Sequence, residues 1–362
     1  MRRLTGTILA MVLAAVAAAV AAEAWPTAQD ALIEKYRAAC ADLAAEASKA
    51  EKIAIEGEDG WLFIGSDLRH MSAGEFWGEK AKEVSRASRP DWADPLAAIV
   101  HFNDQLKALD IELILVPMPP KAAIYADKLP HSRIAVDGDG RVPRVDPQHQ
   151  TFYKLLGEKG VQVVDLAPLL LAERAKKDGI QPYCKTDTHY SPAACEMIAK
   201  LLAEKITNQD WCADAPKSKV KTEKRMQKIA GDLARAMNKD KPATEELSFR
   251  FVELEGADIE SKDSPVLLLG DSHTLVFHVG GDLYTKGAGL ADQLAAELKM
   301  PIDLLGVRGS GATPARISLY RRSAGDPKYL DGKKVVVWCF TAREFTEAVS
   351  GWRVLPVRKA SQ

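Results

Sequence analysis

The stretch Ser264-Pro-Val-Leu-Leu-Leu-Gly-Asp-Ser-His-Thr274 decides the fold of this chain. Its apolar run follows a proline and ends at a glycine, a pattern typical of a strand buried on both faces of a parallel sheet. The chain is expected to turn sharply at Gly270, which leaves Ser272 exposed at the end of a rigid strand, beside free backbone N–H groups. Such a serine suits a nucleophile, because those N–H groups can bind the oxyanion formed during attack on an ester. An isolated Gly-Asp-Ser turn, however, more often only caps a helix.

A second stretch, Lys185-Thr-Asp-Thr-His-Tyr-Ser-Pro192, supplies the partners that a serine nucleophile needs. A serine hydroxyl requires a base, and histidine is the side chain best matched to neutral pH. The base in turn requires a carboxylate that fixes its tautomer and stabilises the imidazolium. His189 and Asp187 fill these roles if the stretch forms a loop, in which residues i and i+2 can meet. The structural alternatives are a turn or helix-capping role for Asp187 and a packed surface position for His189.

Two histidines after the serine compete for the role of base. His273 is adjacent to Ser272, so its side chain should point away from the serine hydroxyl. His278 is expected near the first turn of a following helix. Both therefore rank below His189, and Asp271 is predicted to shape the turn rather than to titrate.

The composition narrows the class of protein. A chain of 362 residues has room for one large domain or two small ones. Hydrophobic residues make up 47% and charged residues 27%, as in ordinary globular proteins. The formal net charge is −1 and no strongly basic patch stands out, which argues against a nucleic-acid partner.

The first 24 residues are predicted to be a targeting segment rather than part of the fold. Arg2 and Arg3 precede an alanine-rich apolar stretch, and Ala22-Glu-Ala24 fits a small-x-small cleavage site. The alternative is an uncleaved anchor, since the stretch is about long enough to cross a bilayer. Either way the body, residues 25–362, is expected in the periplasm, tethered to the inner membrane if the segment is retained.

Export makes disulfide bonds possible for the five cysteines. Cys184 and Cys195 bracket the Asp-His stretch, and Cys40 with Cys212 is the other attractive pair, whereas Cys339 lies in an apolar run and is predicted to be a core residue. The cysteine and histidine spacings do not match a zinc site. The sequence therefore predicts neither a metal nor a cofactor.

Alternating strand and helix patterns predict an α/β domain with a largely parallel sheet. The strand ending near Ser272 is expected to be central, because no polar residue interrupts its apolar run. The predicted strands of the sheet are residues 111–117, 161–166, 264–269, 302–307 and 334–340. The predicted helices are residues 27–55, 92–109, 148–158, 168–177, 191–206 and 289–299, with another from 314.

Two further segments are candidates for binding. Lys121 follows the strand 111–117, at the sheet edge where ligands bind in open α/β folds, and is a candidate substrate contact or simply a solvated lysine. Arg308 and Gly309 belong to a glycine-rich turn between a strand and a helix, which can offer N–H groups to an oxyanion. By contrast, residues 213–262 are rich in charge and are predicted to be a peripheral, mobile insertion with a helix around 222–237.

The motifs together resemble the SGNH-hydrolase-like family of alginate O-acetyltransferases, and the J type more than the X type. The resemblance covers most of residues 50–345. It is carried by the leader, by Thr186-Asp-Thr-His189 preceding Gly270-Asp-Ser272, and by segments at 59–63, 67–69, 116–117, 121 and 124–125. It implies a three-layer sandwich around a mostly parallel sheet of about five strands.

The resemblance also implies a reaction. Ser272 would take an acetyl group with His189 as base and Asp187 as its orienting carboxylate, and would pass it to a polysaccharide hydroxyl. A membrane-bound O-acyltransferase partner would deliver the acetyl donor, together with other export and acetylation proteins. Two alternatives stay open: an acetylesterase with the same fold and residues, and a non-catalytic subunit of an export complex.

Overall fold

The protein is built around a five-stranded parallel sheet. A computed structural model describes residues 28–359. The strands in this part of the chain are β1 (Ala54–Glu56), β2 (Leu62–Ile64), β3 (Glu112–Met118), β4 (Gln162–Val163), β5 (Val220–Ile229), β6 (Glu245–Leu254), β7 (Val266–Gly270), β8 (Val279–Gly281), β9 (Tyr284–Lys286), β10 (Asp303–Gly306) and β11 (Val335–Thr341). The main sheet has the order β10-β7-β11-β3-β4, and β1–β2, β5–β6 and β8–β9 form antiparallel pairs.

Helices connect the strands and cover the sheet. Those described within residues 28–359 are α1 (Ala28–Lys49), α2 (Gly65–Ser72), α3 (Ala81–Val84), α4 (Pro95–Lys107), α5 (Lys121–Ile124), α6 (Pro147–Glu158), α7 (Ala167–Ala175), α8 (Pro192–Thr207), α9 (Asp210–Asp214), α10 (Asp232–Met237), α11 (Leu290–Leu298), α12 (Thr313–Gly325) and α13 (Glu344–Glu347). Single 3₁₀ turns cover Glu58–Gly60, Gly78–Lys80, Pro90–Trp92, Ala126–Lys128 and Ser272–Thr274.

The alternation of side chains along each strand produces a core on either face of the sheet. In β11, Val335, Val337 and Cys339 join one core, whereas Val336, Trp338 and Phe340 join the other. Helices α8 and α11 contribute to the first core, and α4, α6 and α12 to the second. Both faces are thus covered by helices, as a parallel sheet requires, and the predicted α/β sandwich is confirmed.

The five predicted sheet strands are all present, with one difference in their arrangement. Strand β7 is buried along its whole length and lies between β10 and β11, but β11 is the middle strand. All five strands are parallel, so their carboxyl ends meet at one edge. Ser272 follows β7 at this edge, where the connections from β3 to β4 and from β7 to β10 run in opposite directions, as at other α/β ligand sites.

The predicted helix around 222–237 is wrong over most of its length. Residues 220–229 form β5, which pairs with β6 through ten residue positions, and only Asp232–Met237 is helical. Nearly every residue of β5 is at least partly exposed, so the strand has no apolar face that would reveal a period of two. Pairing with β6 overrides the helix propensity of its lysine, glutamate and methionine residues.

All five cysteines are free and buried, so the disulfide pairs considered from the sequence are not formed. The burial of Cys339 in the core is confirmed. The predicted targeting segment, residues 1–24, lies outside the described residues. Within residues 28–359, no helix combines the length and apolar character needed to cross a bilayer.

Candidate active site

The turn that carries Ser272 is fixed between two strands of the sheet. Asp271 accepts hydrogen bonds from the N–H of His273 on one oxygen and of Thr341 on the other, each at 2.8 Å. Burial raises the pKa of Asp271, but the His273 charge and these hydrogen bonds outweigh it and bring the pKa to about 2. Asp271 therefore shapes the turn as an ionised acceptor, as predicted.

The Asp-His stretch forms a loop that closes on itself before α8. Tyr183 and Tyr190 form an antiparallel bridge, and the N–H of Cys184 donates to the carbonyl of His189 at 3.1 Å. Ser191 then caps α8 by accepting a hydrogen bond from the N–H of Ala194. The loop conformation gives Asp187 and His189 the i/i+2 contact that a helix or strand would not allow.

The loop and the serine turn meet in a continuous series of hydrogen bonds. The Oγ of Ser272 lies 2.8 Å from Nε2 of His189, and Nδ1 of His189 lies 2.6 Å from Oδ1 of Asp187. Asp187 is fully buried, His189 is 5% exposed, and Ser272 is partly exposed. With the proton of His189 on Nδ1, Nε2 can accept the serine proton, which is the arrangement of an activated nucleophile.

The carboxylate of Asp187 is held by hydrogen bonds on both oxygens. Oδ1 accepts from the backbone N–H and from Nδ1 of His189, while Oδ2 accepts from the N–H of Asp232 at 2.7 Å and from the hydroxyl of Tyr284. Burial raises the pKa of Asp187, but the His189 charge and these hydrogen bonds lower it well below its usual range. Burial lowers the pKa of His189, yet the Asp187 carboxylate raises it above the ordinary value.

The competing histidines lie in other hydrogen-bond pairs. Nδ1 of His273 lies 3.1 Å from Oδ1 of Asp271, and the two rings of His273 and His189 are 4.9 Å apart. His278 lies between Asp292, at 2.8 Å, and Glu260, at 3.1 Å. Among the histidines of the described chain, His189 is the one whose ring contacts the hydroxyl of Ser272.

Lys121 does not lie where it could meet a substrate, which corrects the expectation from the sequence. Its side chain is buried, and its ammonium donates to the carbonyls of Leu62 at 2.7 Å and Lys185 at 3.4 Å. The ammonium also lies 5.7 Å from the ring centre of Trp61. Lys121 therefore ties β2 to the Asp-His loop instead of facing a ligand.

The glycine-rich turn after β10 contacts the serine turn at Gly311, and not at the predicted Arg308 and Gly309. Arg308 is exposed and pairs with Asp282 at 2.6 Å, and a Cβ at Gly309 would have no neighbour within 4 Å. At Gly311, by contrast, a Cβ would lie 3.0 Å from the backbone nitrogen of Asp271. An oxyanion role for Arg308 and Gly309 stays a prediction, and Gly311 is the position that touches the turn.

Tyr284 and Asp232, which no sequence motif indicated, contact Asp187 from two separate hairpins. No spacing in the sequence relates these positions to Asp187. Asp187, His189 and Asp232 have ligand atoms within 4.8 Å of one another, a grouping that could hold a metal ion. Both Asp187 oxygens and the Asp232 carboxylate already accept hydrogen bonds, so a metal would have to displace them.

Most of the chain matches a known protein family. Residues 54–342 match the family model described as an SGNH hydrolase-like domain, acetyltransferase AlgX. The chain belongs to this AlgX family. The resemblance noted in the sequence is thereby confirmed, and so is the SGNH-hydrolase-like fold.

Several relatives of the AlgX-family chain come from Pseudomonas species. The probable alginate O-acetylase AlgJ of Pseudomonas putida is 27% identical over 235 residues, which cover 61% of this chain and 54% of that protein. The corresponding protein of Pseudomonas aeruginosa is 24% identical over 305 residues, covering 80% of this chain and 69% of its own. The chain spans about half the length of the curated P. putida and P. fluorescens relatives that it matches.

Solved structures of AlgX-family proteins share the fold. The O-acetyltransferase domain of P. putida AlgJ superposes with a TM-score of 0.56 at 22% identity, covering 81% of this chain and 92% of that domain. P. aeruginosa AlgX also gives a TM-score of 0.56, at 19% identity, covering 80% of this chain and 62% of that protein. At such identities the likeness concerns the fold alone.

Proposed function

We propose that this protein is an exported O-acetyltransferase, which moves an acetyl group through an acyl-enzyme at Ser272 onto hydroxyls of an exopolysaccharide such as alginate. The observation that carries the proposal is the hydrogen-bonded series from Ser272 through His189 to Asp187. Membership of the AlgX family supports acetyl transfer as the reaction. The AlgJ relatives, named as probable alginate O-acetylases, support alginate as the acceptor.

In the first half-reaction, Oγ of Ser272 attacks the acetyl carbonyl of the donor while Nε2 of His189 takes its proton. The new imidazolium is stabilised by the Asp187 carboxylate, whose low pKa keeps it ionised. The proton then passes from Nε2 to the leaving group, and the acetyl group remains bonded to Oγ. Backbone N–H groups of the serine turn and of the loop after β10 are the proposed donors to the oxyanion.

In the second half-reaction, a sugar hydroxyl takes the place of the leaving group. His189 removes its proton, the sugar oxygen attacks the acetyl carbonyl, and Ser272 regains its proton as it leaves. Water at the same position would give acetate and make the protein an acetylesterase. The reaction therefore depends on which hydroxyl reaches the acyl-enzyme.

The setting of the reaction is part of the proposal. The predicted leader would deliver the protein to the periplasm, with or without a tether to the inner membrane. A membrane-bound O-acyltransferase would supply the acetyl donor there, alongside other proteins of polysaccharide acetylation and export. The relatives' name, probable alginate O-acetylase AlgJ, supports a role in polysaccharide acetylation.

The test is an assay of the purified protein with a chromogenic acetyl ester, with and without mannuronate oligosaccharides as acceptors. We expect mass spectrometry to find acetylated oligosaccharide with the wild-type protein. With Ser272→Ala we expect neither acetylated oligosaccharide nor acetate. Acetyl recovered only as acetate would overturn the transferase proposal in favour of the esterase. Normal polymer acetylation in cells carrying Ser272→Ala would instead favour the non-catalytic subunit.

A further inference from the structure

We propose that the charged insertion, residues 213–262, positions the Asp187–His189 pair by clamping the loop 185–188 between the carboxylates of Glu245 and Asp232. These two are positioning residues, because their hydrogen bonds go to the loop and not to Ser272. The inference deepens the proposed function and rests on it for its kinetic consequences. Its structural content is independent of which hydroxyl accepts the acetyl group.

Glu245, the first residue of β6, accepts hydrogen bonds from the donors at the start of the loop. Its Oε2 accepts from the N–H of Lys185 at 2.9 Å. Its Oε1 accepts from the N–H of Thr186 at 2.8 Å and from the hydroxyl of Thr186 at 2.6 Å. A carboxylate that receives three such bonds fixes both the direction of the backbone and the rotamer of Thr186.

Asp232, the first residue of α10, holds the other end of the loop. Its carboxylate accepts from the N–H and the hydroxyl of Thr188, at 2.8 Å and 2.6 Å. Its own N–H donates to Oδ2 of Asp187 at 2.7 Å. Asp232 therefore bonds both to Asp187 and to the residue between Asp187 and His189.

The backbone of the insertion lies against the loop with no space between them. A Cβ at Gly231 would lie 2.0 Å from the carbonyl oxygen of Thr186, so only glycine fits there without movement. The N–H of Ala234 donates to the same carbonyl at 3.1 Å. From the other side, the buried ammonium of Lys121 contacts the carbonyl of Lys185.

These contacts matter because Thr186, Thr188 and Asp187 are all buried, so a lost acceptor cannot be replaced by bulk water. The loop is not a strand of the main sheet, so the hydrogen bonds of the sheet do not hold it. An error of about 1 Å in the placement of a catalytic group can cost about 100-fold in rate. The insertion thus supports the general base although its strands lie at the periphery.

The test compares Glu245→Gln with Glu246→Gln, which removes the same charge from the exposed neighbouring residue. For Glu245→Gln we expect kcat on a small acetyl ester to fall about 100-fold with KM unchanged, because the base is displaced but the substrate is not contacted. For Glu246→Gln we expect wild-type kcat and KM. Equal kcat values for the two variants would overturn the inference.

A second pair of variants covers the case in which Glu245→Gln does not fold. Thr186→Val keeps the shape of the side chain but removes the hydroxyl that Glu245 binds, and should lower kcat. Thr186→Ser restores the hydroxyl and should recover most of the loss. A Thr186→Val enzyme with wild-type kcat would contradict the clamp.

A spectroscopic measurement separates this inference from the proposed function. The proton between Nδ1 of His189 and Asp187 is expected to give a low-field proton NMR resonance in the wild-type protein, whether or not acetyl transfer occurs. In Glu245→Gln the resonance should shift or exchange faster, and in Glu246→Gln it should not. An unchanged resonance in both variants would overturn the clamp, whereas a wild-type protein that has the resonance but forms no acyl-enzyme would overturn only the proposed function.

Discussion

At the residue scale, Asp187 is the group on which the proposed chemistry of the site depends. It is fully buried and accepts hydrogen bonds on both oxygens, one of which orients His189. We predict that Asp187→Asn lowers kcat on an acetyl ester by about a thousandfold or more, because the amide can stabilise the wrong histidine tautomer and no longer stabilises the imidazolium. Initial rates at saturating ester measure the effect.

The control for Asp187→Asn is the same substitution at the exposed Asp240. Asp240→Asn should retain the wild-type rate. Thermal unfolding of both variants separates lost chemistry from lost structure. If Asp187→Asn stays folded and keeps more than a tenth of the wild-type rate, the carboxylate does not orient the base.

The pH dependence of the reaction follows from the same charges. The groups that face His189 are Asp187 on its own loop, Asp232 on α10, and Asp271 and His273 on the serine turn. Despite its burial, His189 has a pKa raised above 6.5, chiefly by Asp187. Because the base must be neutral, kcat/KM should fall as pH decreases through this raised pKa, with a midpoint above 6.5.

A variant checks the sign of this effect. Asp232→Asn removes a negative charge near the imidazolium, so the midpoint of the kcat/KM profile should move to lower pH. The profile is measured between about pH 5 and 9, the range in which histidine titrates. A wild-type midpoint below 6.5, or a shift to higher pH in the variant, would contradict the electrostatic account.

The sequence was sufficient to bring three residues together and insufficient for those behind them. The hydrogen-bonded series of Ser272, His189 and Asp187 was predictable because each residue belongs to a short motif whose chemistry is complementary to the others, whereas their catalytic roles stay a prediction. Lys121 was misjudged because its position after a strand indicates the functional edge but not the direction of the side chain. Tyr284, Asp232 and Glu245 gave no signal, since long-range folding alone brings them to the loop.

At the element scale, the approach of β7 to β11 explains the glycine before the serine turn. A Cβ at Gly270 would lie 1.8 Å from the carbonyl oxygen of Cys339 and 2.6 Å from a methyl group of Thr274. We predict that Gly270→Ala lowers the free energy of unfolding by about 3 kcal/mol or more, because the two strands must move apart. Urea denaturation followed by circular dichroism measures this change.

The comparison variant for Gly270→Ala is Gly332→Ala. An added Cβ at Gly332 has no neighbour within 4 Å. Its effect should stay within about 1 kcal/mol, as for most surface substitutions. Equal destabilisation by the two substitutions would show that the close strand approach is not what selects glycine at position 270.

The sequence predicted well the elements of two kinds. These are helices with one apolar face and strands that are apolar on both faces. Helices α4, α8 and α11 show a clear helical period, and β7 and β11 show unbroken apolar runs. Strand β5 was taken for a helix because its exposed surface carries no pattern, and its pairing with β6 is set by residues more than fifteen positions away. Local propensity could not reveal that pairing.

At the scale of the whole molecule, the state of the cysteines is a direct test of the packing. All five are buried and free. We predict that a thiol reagent finds almost no reactive group in the native protein and five per chain after denaturation without reductant. Fewer than five thiols in the denatured protein would reveal a disulfide bond.

The overall architecture was predictable because it depends on pattern rather than on particular contacts. Five apolar strands between helices predict a parallel α/β sheet, and that sheet is present. The order of the strands was not predictable in the same way. Strand β7 was expected in the middle on the strength of its apolar run, but β11 has an equally apolar sequence and takes that place.

The position of β11 affects when the protein can fold during its synthesis. Strand β11 is the last of the sheet to leave the ribosome, yet it lies between β7 and β3 and hydrogen-bonds to both. Before residues 335–341 emerge, the pairs β3–β4 and β7–β10 have no common neighbour, so a nascent chain cannot complete its sheet. If the chain is secreted as proposed, this order keeps the proposed nucleophile unassembled during translocation until residues 335–341 have been delivered.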